Sequence, residues 1–342
     1  MRRYKLALVG ATGVTGEITR KVLEEYNLPI EEYTFFASCK SAGKIIMFNN
    51  KEYEVQELKV DSFNDGFDYV IFLAGNNVSE KYIPIAVEHG CICIDNSSYY
   101  RMEKGIPLVV PEVNMEDSFL NEGIIANPDC AAIQTAVVIS PLDKEYRIKR
   151  AVISTYQAVS GAGMRGIQDL QSGIESYIYG NKYEINKFPY EIFNNCIPKI
   201  GDFEDDRYTL EEHNLIDETR KILKKSSLPI TATTVRVPLF NSYCESINLE
   251  FEKDYEINNI IEILNEAPGV VVKDDISNNL YPMPIDTNNQ DKVFVGRIRR
   301  DYSVKSGINL WVVADNTRKG VGSNSVQILS GLIEKRNKTL IV

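Results

Sequence analysis

The stretch "KLALVGATGVTGEITRKVLEEY", residues 5–26, joins a short apolar run to a helical pattern through three glycines. The apolar run stops at Gly10 and has the length of a buried strand. Glycines at such a turn allow a tight bend, and the free N–H groups at the start of the next helix attract a pyrophosphate. The spacing G-x-x-G-x-x-G is a variant of the dinucleotide fingerprint, so a plain structural turn is the alternative interpretation.

The first half of the chain continues this alternation of short apolar runs with helical patterns such as 13–26 and 79–89. Buried runs separated by helices predict a Rossmann-like α/β fold, a doubly wound parallel sheet. Cys91 and Cys93 lie two apart on one predicted strand and are interpreted as core residues. The predicted strands are 5–10, 33–38, 68–75, 91–97, 107–113 and 123–128.

The second half has longer segments with clearer alternation, which predicts an α+β domain with a mainly antiparallel sheet covered on one face. A helical and loop region, 166–225, interrupts these strands, and a last helical run follows at 324–335. We expect a first domain of residues 1–129, completed by a C-terminal helix within 324–338, and a second domain of residues 130–323. The predicted strands are 149–159, 229–240, 246–253, 291–301 and 307–315.

Length and composition narrow the class of protein. A chain of 342 residues exceeds the usual size of a single core, and a net charge of -10 argues against a nucleic-acid or anionic-membrane partner. The first apolar run is too short for a signal peptide, and no segment reaches the roughly 20 apolar residues of a membrane span. Six cysteines without a C-x-x-C pair favour a reducing cytoplasm, and no metal site is predicted.

The end of the second predicted strand indicates which dinucleotide binds. An NAD site would place Asp or Glu there for the ribose hydroxyl, whereas this chain has "SCKSAGK", residues 38–44. Hydroxyls and a cation suit a 2′-phosphate, so the sequence predicts NADP; solvated loop residues are the alternative. The candidate cofactor residues of this half are Gly10, Thr12, Gly13, Val14, Thr15, Gly16, Ser38, Lys40 and Ser41.

A lone cysteine in "IANPDCAAIQ", residues 125–134, is the candidate nucleophile. Cys130 precedes a helical run, and a helix N-terminus stabilises a thiolate. Asp129 beside it would raise the pKa of the thiol unless its carboxylate points away. From these residues alone, a nucleophile and a buried thiol are both open.

A second glycine loop, "STYQAVSGAG" at 154–163, is suited to covering a nicotinamide or holding a reacting acyl group. With it the chain resembles the aspartate-semialdehyde dehydrogenase family over nearly its whole length. The order of motifs is more specific than either glycine loop alone. The matching motifs are "GATGVTG", "ASCKSAGK", "DNSSYYR", "PLVVPEVN", "STYQAVSGAG", "EEHNLIDETRKIL", "VRVPLFNSYCES", "VFVGRIR" and "LWVVADN".

The resemblance implies an NADP-dependent enzyme that interconverts L-aspartate 4-semialdehyde plus phosphate with L-aspartyl 4-phosphate. A cysteine attacks the aldehyde, hydride leaves to the cofactor, and phosphate cleaves the thioester. The pathway implied is the synthesis of lysine, threonine and methionine. The family packs as homodimers or homotetramers through the second domain, which is thus both catalytic and dimerising.

The resemblance also assigns roles to residues. Cys130 matches the nucleophile and Gln157 a glutamine that orients substrate. Arg236 matches the arginine that holds the substrate carboxylate, and Glu211 the glutamate that receives its ammonium. Arg101 matches a cation that holds phosphate, although each charge could alternatively be structural. Ser160, Gly161 and Gly163 of the second loop, with Asn324, complete the candidate cofactor residues.

Three departures from the family pattern cluster around the chemistry. Tyr243 stands where the family has its acid/base histidine, Asn214 where it has a second phosphate cation, and Asp129 where it has an asparagine. A phenol titrates near pH 10, far from the working range of imidazole. The two histidines of the chain, His89 and His213, are both predicted to be exposed.

These departures leave three hypotheses. The leading one is the family reaction, with Tyr243 among the catalytic residues. The second keeps the fold and Cys130 but uses a related amino-acid aldehyde or a non-phosphorylated acyl group, because Asn214 lacks a positive charge. The third is a catalytically impaired protein that binds NADP. N-acetyl-glutamyl-phosphate reductases share similar loops but match the "RVP" and "ES" motifs less well.

Overall fold

The computed structural model describes residues 2–339. Within them the chain forms two compact units, one of the residues up to Pro128 together with those from Val321 onward, the other of Asp129–Gly320. The strands are β1 (Tyr4–Val9), β2 (Ile30–Ala37), β3 (Ile45–Phe48), β4 (Lys51–Glu54), β5 (Gln56–Glu57), β6 (Tyr69–Phe72), β7 (Ile92–Asp95), β8 (Ile124–Ala126), β9 (Ile148–Gln157), β10 (Ile230–Arg236), β11 (Tyr243–Phe251), β12 (Val270–Val272), β13 (Val293–Asp301) and β14 (Gly307–Ala314). The α-helices are α1 (Val14–Tyr26), α2 (Asn76–Glu88), α3 (Pro111–Asn114), α4 (Cys130–Tyr146), α5 (Gly163–Tyr179), α6 (Leu210–Leu223), α7 (Ile257–Glu266), α8 (Pro284–Thr287) and α9 (Ser323–Thr339).

The first unit is built on a six-stranded sheet in the order β5-β2-β1-β6-β7-β8, and every neighbouring pair is parallel. Consecutive residues of β1 and β6 are buried, so both faces of the sheet are covered. Helix α9 returns the chain to this unit and packs on α1 and β7. The doubly wound parallel fold predicted from the sequence is confirmed.

The turn from β1 to α1 depends on Gly10. Its φ of 87° is a left-handed conformation, and a Cβ there would lie 2.8 Å from the carbonyl oxygen of Leu73. Only glycine combines that conformation with that close approach. The helix that follows, α1, matches the predicted helix 13–26 to within one residue.

The predicted strand 107–113 is wrong in its second half. Leu108 makes an isolated parallel bridge with Ala126, but Pro111 begins the short helix α3. Proline lacks an N–H for a ladder and is favoured at the first helical position, which explains the change.

A two-stranded hairpin, β3 with β4, was not singled out in the sequence. Its turn residues Asn49 and Asn50 both have positive φ, at 49° and 58°. Two such residues between alternating segments are typical of the tightest hairpin turns. The Asn-Asn pair was therefore an available signal.

The second unit contains a mixed, mostly antiparallel sheet in the order β10-β9-β11-β14-β13-β12. Only the outer pairs β10–β9 and β12–β13 are parallel. Helices α4, α6 and α7 contact one face. Inward side chains on β9, β10 and β11 are buried at every second position, as predicted for a sheet covered on one face. None of the helices within residues 2–339 has the length and apolar character needed to cross a membrane.

Candidate active site

The three strands β10, β9 and β11 align their inward residues in rows across the sheet, and the rows change in character along the strands. The row at one end holds the predicted substrate residues, the next row is polar and buried, and the third is apolar. In order, the rows are Arg236–Gln157–Tyr243, Thr234–Thr155–Glu245 and Ala232–Ile153–Ile247.

Cys130 is the first residue of α4, as the sequence predicted. Asp129 is the helix N-cap, and its Oδ1 accepts a hydrogen bond from the N–H of Ala131 at 2.8 Å. The N–H of Asp129 donates to Oε2 of the fully buried Glu218 at 2.6 Å. The carboxylate next to the nucleophile is thus engaged with the helix terminus, where the positive end of the dipole favours it.

Gly320 packs directly against the candidate nucleophile. A Cβ at position 320 would lie 2.8 Å from Sγ of Cys130. The residue belongs to a single π-helical turn, Arg318–Gly322, which is a type of distortion found often at functional sites. Glycine at this position leaves room for the sulfur.

Gln157 and Glu211 form a pair inside the unit. Gln157 is fully buried and its Nε2 donates to Oε1 of Glu211 at 3.1 Å. Its Oε1 is buried and has no hydrogen-bond partner among the described residues. A buried acceptor without a donor costs about 1–3 kcal/mol, so this oxygen is suited to receive a proton donor from a ligand.

Arg236 and Tyr243 lie at opposite ends of the same row and meet over the second glycine loop. Nη1 of Arg236 donates to the carbonyl oxygen of Ala158 at 2.6 Å and to the Tyr243 hydroxyl at 3.4 Å. Arg236 is 5% exposed and Tyr243 is 3% exposed. A Cβ at Gly161 would lie 1.7 Å from the Tyr243 oxygen, so only glycine fits there.

The pKa of Tyr243 depends on its burial and on the charges of four other candidate residues. Burial raises the pKa of Tyr243 far above its usual range, and the positive charge of Arg236 opposes that shift. The charges of Cys130, Glu211 and Asp129 raise the same pKa further. Tyr243 is therefore a neutral hydrogen-bond donor at working pH and cannot replace the histidine as a general base.

Glu245, in the second row, is a buried carboxyl group that the sequence analysis missed. Its Oε2 accepts a hydrogen bond from the Thr135 hydroxyl of α4 at 2.7 Å. Burial raises the pKa of Glu245 to about 8, and the Thr135 hydrogen bond only partly offsets this. Glu245 is thus mostly protonated at neutral pH.

The two histidines belong to other elements than the row that holds Tyr243, His89 at the end of α2 and His213 on α6. His213 is half-buried, with 34% of its side chain exposed, and pairs with Asp206 at 3.0 Å, so it is less exposed than predicted. The cause is local, because the Tyr208 ring also packs on the imidazole at 5.5 Å. His89 is exposed at the end of α2, as predicted. Asn214 is half-buried on α6.

Gly10, Thr12 and Gly13 of the first glycine loop line a cavity of about 490 Å³ in the first unit, together with Ser38. Gly13 is the N-cap of α1 and provides no side-chain cap, so it leaves the N–H groups of Val14 and Thr15 open to a ligand. A Cβ at Gly16 would lie 2.3 Å from the Gly10 carbonyl oxygen. The cavity fits a dinucleotide phosphate by both space and donors.

The loop after β2 carries the residues predicted to select the cofactor. Ser38 and Lys40 are exposed, and Ser41 closes the turn by donating its N–H to the Ser38 carbonyl oxygen at 2.9 Å. Residues 38–50 contain no Asp or Glu. The loop therefore offers hydroxyls and the two ammonium groups of Lys40 and Lys44, and no carboxylate acceptor for a ribose hydroxyl of the kind NAD uses.

Two further candidates make structural contacts in the first unit. Asn324 is fully buried, and its Nδ2 donates to the Val109 carbonyl oxygen at 2.9 Å and to Asn127 Oδ1 at 2.7 Å. Arg101 donates from Nε to the Asn127 carbonyl oxygen at 3.0 Å and from Nη2 to that of Asn96 at 3.2 Å. Their cofactor and phosphate roles stay predictions.

The remaining candidates belong to the second glycine loop. Ser160 Oγ lies 3.2 Å from Oδ1 of both Asn241 and Asn316. Gly163 has a φ of 73° and begins α5. Among the described residues, no group of His, Cys, Asp and Glu is arranged to hold a metal ion.

The sequence contained a signal for the two missed carboxylates. Glu218 lies on the face of α6 that also carries Leu215 and Ile222, and Glu245 lies on the inward face of β11 with Ile247. A carboxylate at an apolar position of a helix or strand is rarely buried without a partner. Gly320 had no comparable signal, because its neighbour Cys130 is distant in the chain.

Two protein-family models cover most of the chain. A model described as the NAD binding domain of semialdehyde dehydrogenase matches residues 5–119. A model described as the dimerisation domain of semialdehyde dehydrogenase matches residues 139–319.

Curated relatives agree with these models. The aspartate-semialdehyde dehydrogenase of Aquifex aeolicus is 45% identical over 97% of this chain and 98% of its own length. The enzyme of that name from Campylobacter jejuni is 44% identical over 98% and 99%. Among solved structures, aspartate semialdehyde dehydrogenase II from Vibrio cholerae superimposes with a TM-score of 0.93 at 39% identity, covering 97% of this chain and 99% of that one. Its complex with ASA gives the same TM-score at 38% identity, covering 98% and 99%.

Proposed function

The chain belongs to the aspartate-semialdehyde dehydrogenase family of oxidoreductases, and we propose that it uses NADP and phosphate to convert L-aspartate 4-semialdehyde reversibly to L-aspartyl 4-phosphate. One observation carries the proposal. Arg236, Gln157 and Tyr243 form one row of the sheet, Gln157 donates to Glu211, and the charge of Cys130, at a helix N-terminus, acts on Tyr243 of this row.

The substrate head is held by two charged groups. Arg236 is buried and its guanidinium suits bidentate binding of the α-carboxylate. Glu211 takes the ammonium and is itself oriented by Gln157. Two fixed contacts on one end of a small substrate leave its aldehyde end in a defined position. The translational and rotational entropy is thus lost on binding and adds less to the barrier of the chemical step.

Cys130 is the nucleophile of the first step. Its thiolate forms a bond with the aldehyde carbon, and the electron pair of the C=O bond moves to oxygen, which takes up a proton from water. Neutral Tyr243 can donate a hydrogen bond towards this oxygen, and the buried Oε1 of Gln157 can accept one from the resulting hydroxyl.

The second step makes the thioester. Bound NADP would supply a nicotinamide that accepts the hydride from the same carbon. The chain holds the reacting carbon through the Cys130 bond and the Arg236 contact while the hydroxyl proton passes to water. Ser160, Gly161 and Gly163 are proposed to cover the nicotinamide, and the first glycine loop, Ser38, Lys40, Ser41 and Asn324 to hold the rest of the cofactor.

The last step releases Cys130. A phosphate oxygen attacks the thioester carbonyl, the C–S bond breaks, and the thiolate leaves as L-aspartyl 4-phosphate forms. Arg101 is the proposed phosphate cation. Asn214 adds only neutral hydrogen bonding where the family has a charge, so we expect weak phosphate binding.

We further propose the domain assignment made from the sequence, with residues 1–129 and helix 324–338 binding NADP and residues 130–323 acting in catalysis and dimerisation. A match to a dimerisation-domain model supports a homodimer or homotetramer. Synthesis of lysine, threonine and methionine, in the cytoplasm, is the proposed setting.

The test is NADPH formation from L-aspartate 4-semialdehyde with phosphate, followed by absorbance. Wild type should turn over, and C130A should give neither turnover nor a single-turnover burst. C196S is the matched control, because Cys196 is an exposed thiol. Absence of any burst in wild type would contradict the proposal.

The second candidate function is acyl transfer without phosphate, which the neutral Asn214 favours. Measuring NADPH formation at increasing phosphate concentration separates it from the phosphorylating reaction. Strict dependence on phosphate excludes it. A burst of NADPH that phosphate does not change, with slow release by another nucleophile, would replace the phosphorylating reaction by this alternative.

A further inference from the structure

A cavity of about 380 Å³ in the second unit opens beside Arg236 and Gly161. Its charged lining residues are three cations, Arg236, Lys187 and Lys199, and one anion, Asp202. The whole chain has a net charge of -10, so a group of three cations around one cavity differs in sign from the protein as a whole. A cleft whose lining has a net positive charge raises the local concentration of anionic ligands.

Arg236 contributes a buried charge without an ionic partner. Its hydrogen bonds go to the Ala158 carbonyl oxygen and the neutral Tyr243 hydroxyl, and within residues 2–339 it forms no ion pair. A guanidinium that is 5% exposed and not neutralised is costly unless an anion joins it. Because Arg236 lines the cavity, the anion has access from there.

Lys199 is placed by the backbone beside this arginine. Ile197 and Arg236 exchange two main-chain hydrogen bonds, at 2.9 and 2.8 Å, and Lys199 follows two residues later. Its Nζ lies 3.8 Å from Asp202, whose side chain is fully exposed. Such a surface pair is worth little, so it leaves the ammonium available to a ligand.

Lys187 is held in place through its loop. The buried carboxylate of Asp169 accepts main-chain N–H groups from Asn186 at 2.9 Å, Lys187 at 2.9 Å and Phe188 at 3.1 Å. Three such bonds from one buried group fix the backbone of an otherwise exposed segment. The main chain from which the Lys187 side chain extends is therefore fixed at the cavity wall.

We propose that Lys187 and Lys199 form an outer carboxylate subsite next to Arg236, which makes the enzyme selective for aldehydes whose head group carries an α-carboxylate. The inference rests on the proposed function. Arg236 binds the carboxylate in a fixed geometry, while the two ammonium groups act as mobile point charges that favour its entry and retention.

The test compares two aldehydes that differ only in the carboxylate, L-aspartate 4-semialdehyde and 3-aminopropanal. For K187Q/K199Q we expect kcat/KM with the semialdehyde to fall roughly three- to ten-fold through KM. The same ratio with 3-aminopropanal should change less than about two-fold, since it has no group for the subsite to bind. The fall should shrink in high salt. K182Q is the matched control, because Lys182 is an exposed lysine of the same loop region that does not line the cavity.

Calorimetric binding of L-aspartate, which has the same head group, separates this proposal from the proposed function. If wild type binds L-aspartate and K187Q/K199Q binds it several-fold more weakly, the subsite stands even when semialdehyde turnover is absent. Equal binding by the two proteins, no binding to wild type, or an equal fall of kcat/KM with both aldehydes overturns it.

Discussion

The hydroxyl of Tyr243 occupies the space that any side chain at position 161 would need. The distance from that oxygen to a Cβ at Gly161 would be 1.7 Å, and the next atom of the ring, Cζ, would be at 2.9 Å. Tyr243 and the second glycine loop are therefore fitted to each other across 82 positions of the chain, from 161 to 243. A substitution at position 243 would therefore also change the packing against Gly161.

G161A should lower kcat/KM about 100-fold, because the methyl group forces Tyr243 or the loop to move by more than an ångström. In a Y243F background the same substitution should cost much less, since the conflicting oxygen is gone. Steady-state kinetics of the four proteins measure the coupling. Additive losses would show that Gly161 and Tyr243 are not in conflict.

Asp129 is expected to act on both helix and nucleophile. D129N keeps a capping side chain but removes a negative charge beside Cys130, which favours the thiolate, so alkylation by iodoacetamide at a fixed neutral pH should be several-fold faster. D129A also loses the cap and should lower the free energy of unfolding by about 1 kcal/mol. Protein lacking the thiol, C130S, identifies the alkylated group. An unchanged alkylation rate in D129N would show that the cap already neutralises the carboxylate.

Lys40 is expected to select NADP over NAD. K40A should raise KM for NADP about ten-fold through loss of its charge on the 2′-phosphate, and leave KM for NAD nearly unchanged. K44A is the control, because Lys44 is exposed in the same loop. If the K40A enzyme kept the wild-type preference for NADP over NAD, Lys40 would be a solvated loop residue that does not contact the cofactor.

Glu245 should make stability depend on pH. Its pKa is about 8 in the folded protein and near the ordinary glutamate value when unfolded, so the folded state binds the extra proton. The contribution of Glu245 to stability is therefore fully present below about pH 4.5 and falls by about 1.4 kcal/mol per pH unit up to about pH 8. E245Q stays neutral and lacks this slope. Urea unfolding of both proteins from pH 5 to 8 measures it, and parallel curves would contradict the assignment.

Local sequence determined much of the architecture. A strand that ends in Gly10 and the start of α1 require only neighbouring residues, and the same is true of Cys130 at the head of α4. Alternation along β9 and β11 was sufficient to predict a sheet covered on one face. These features follow from backbone conformation and hydrophobic periodicity, which act over a few residues.

The chemistry of the site was decided by tertiary structure. Asp129 was predicted to oppose the thiolate unless its carboxylate points away, and only the folded chain shows that this carboxylate caps α4 while the main-chain N–H of Asp129 donates to Glu218. Tyr243 and Glu245 are both neutral at working pH because strands and helices distant in sequence bury them. A side chain's pKa depends on the solvent and charges around it, and these are assembled only when the rows of β9, β10 and β11 align.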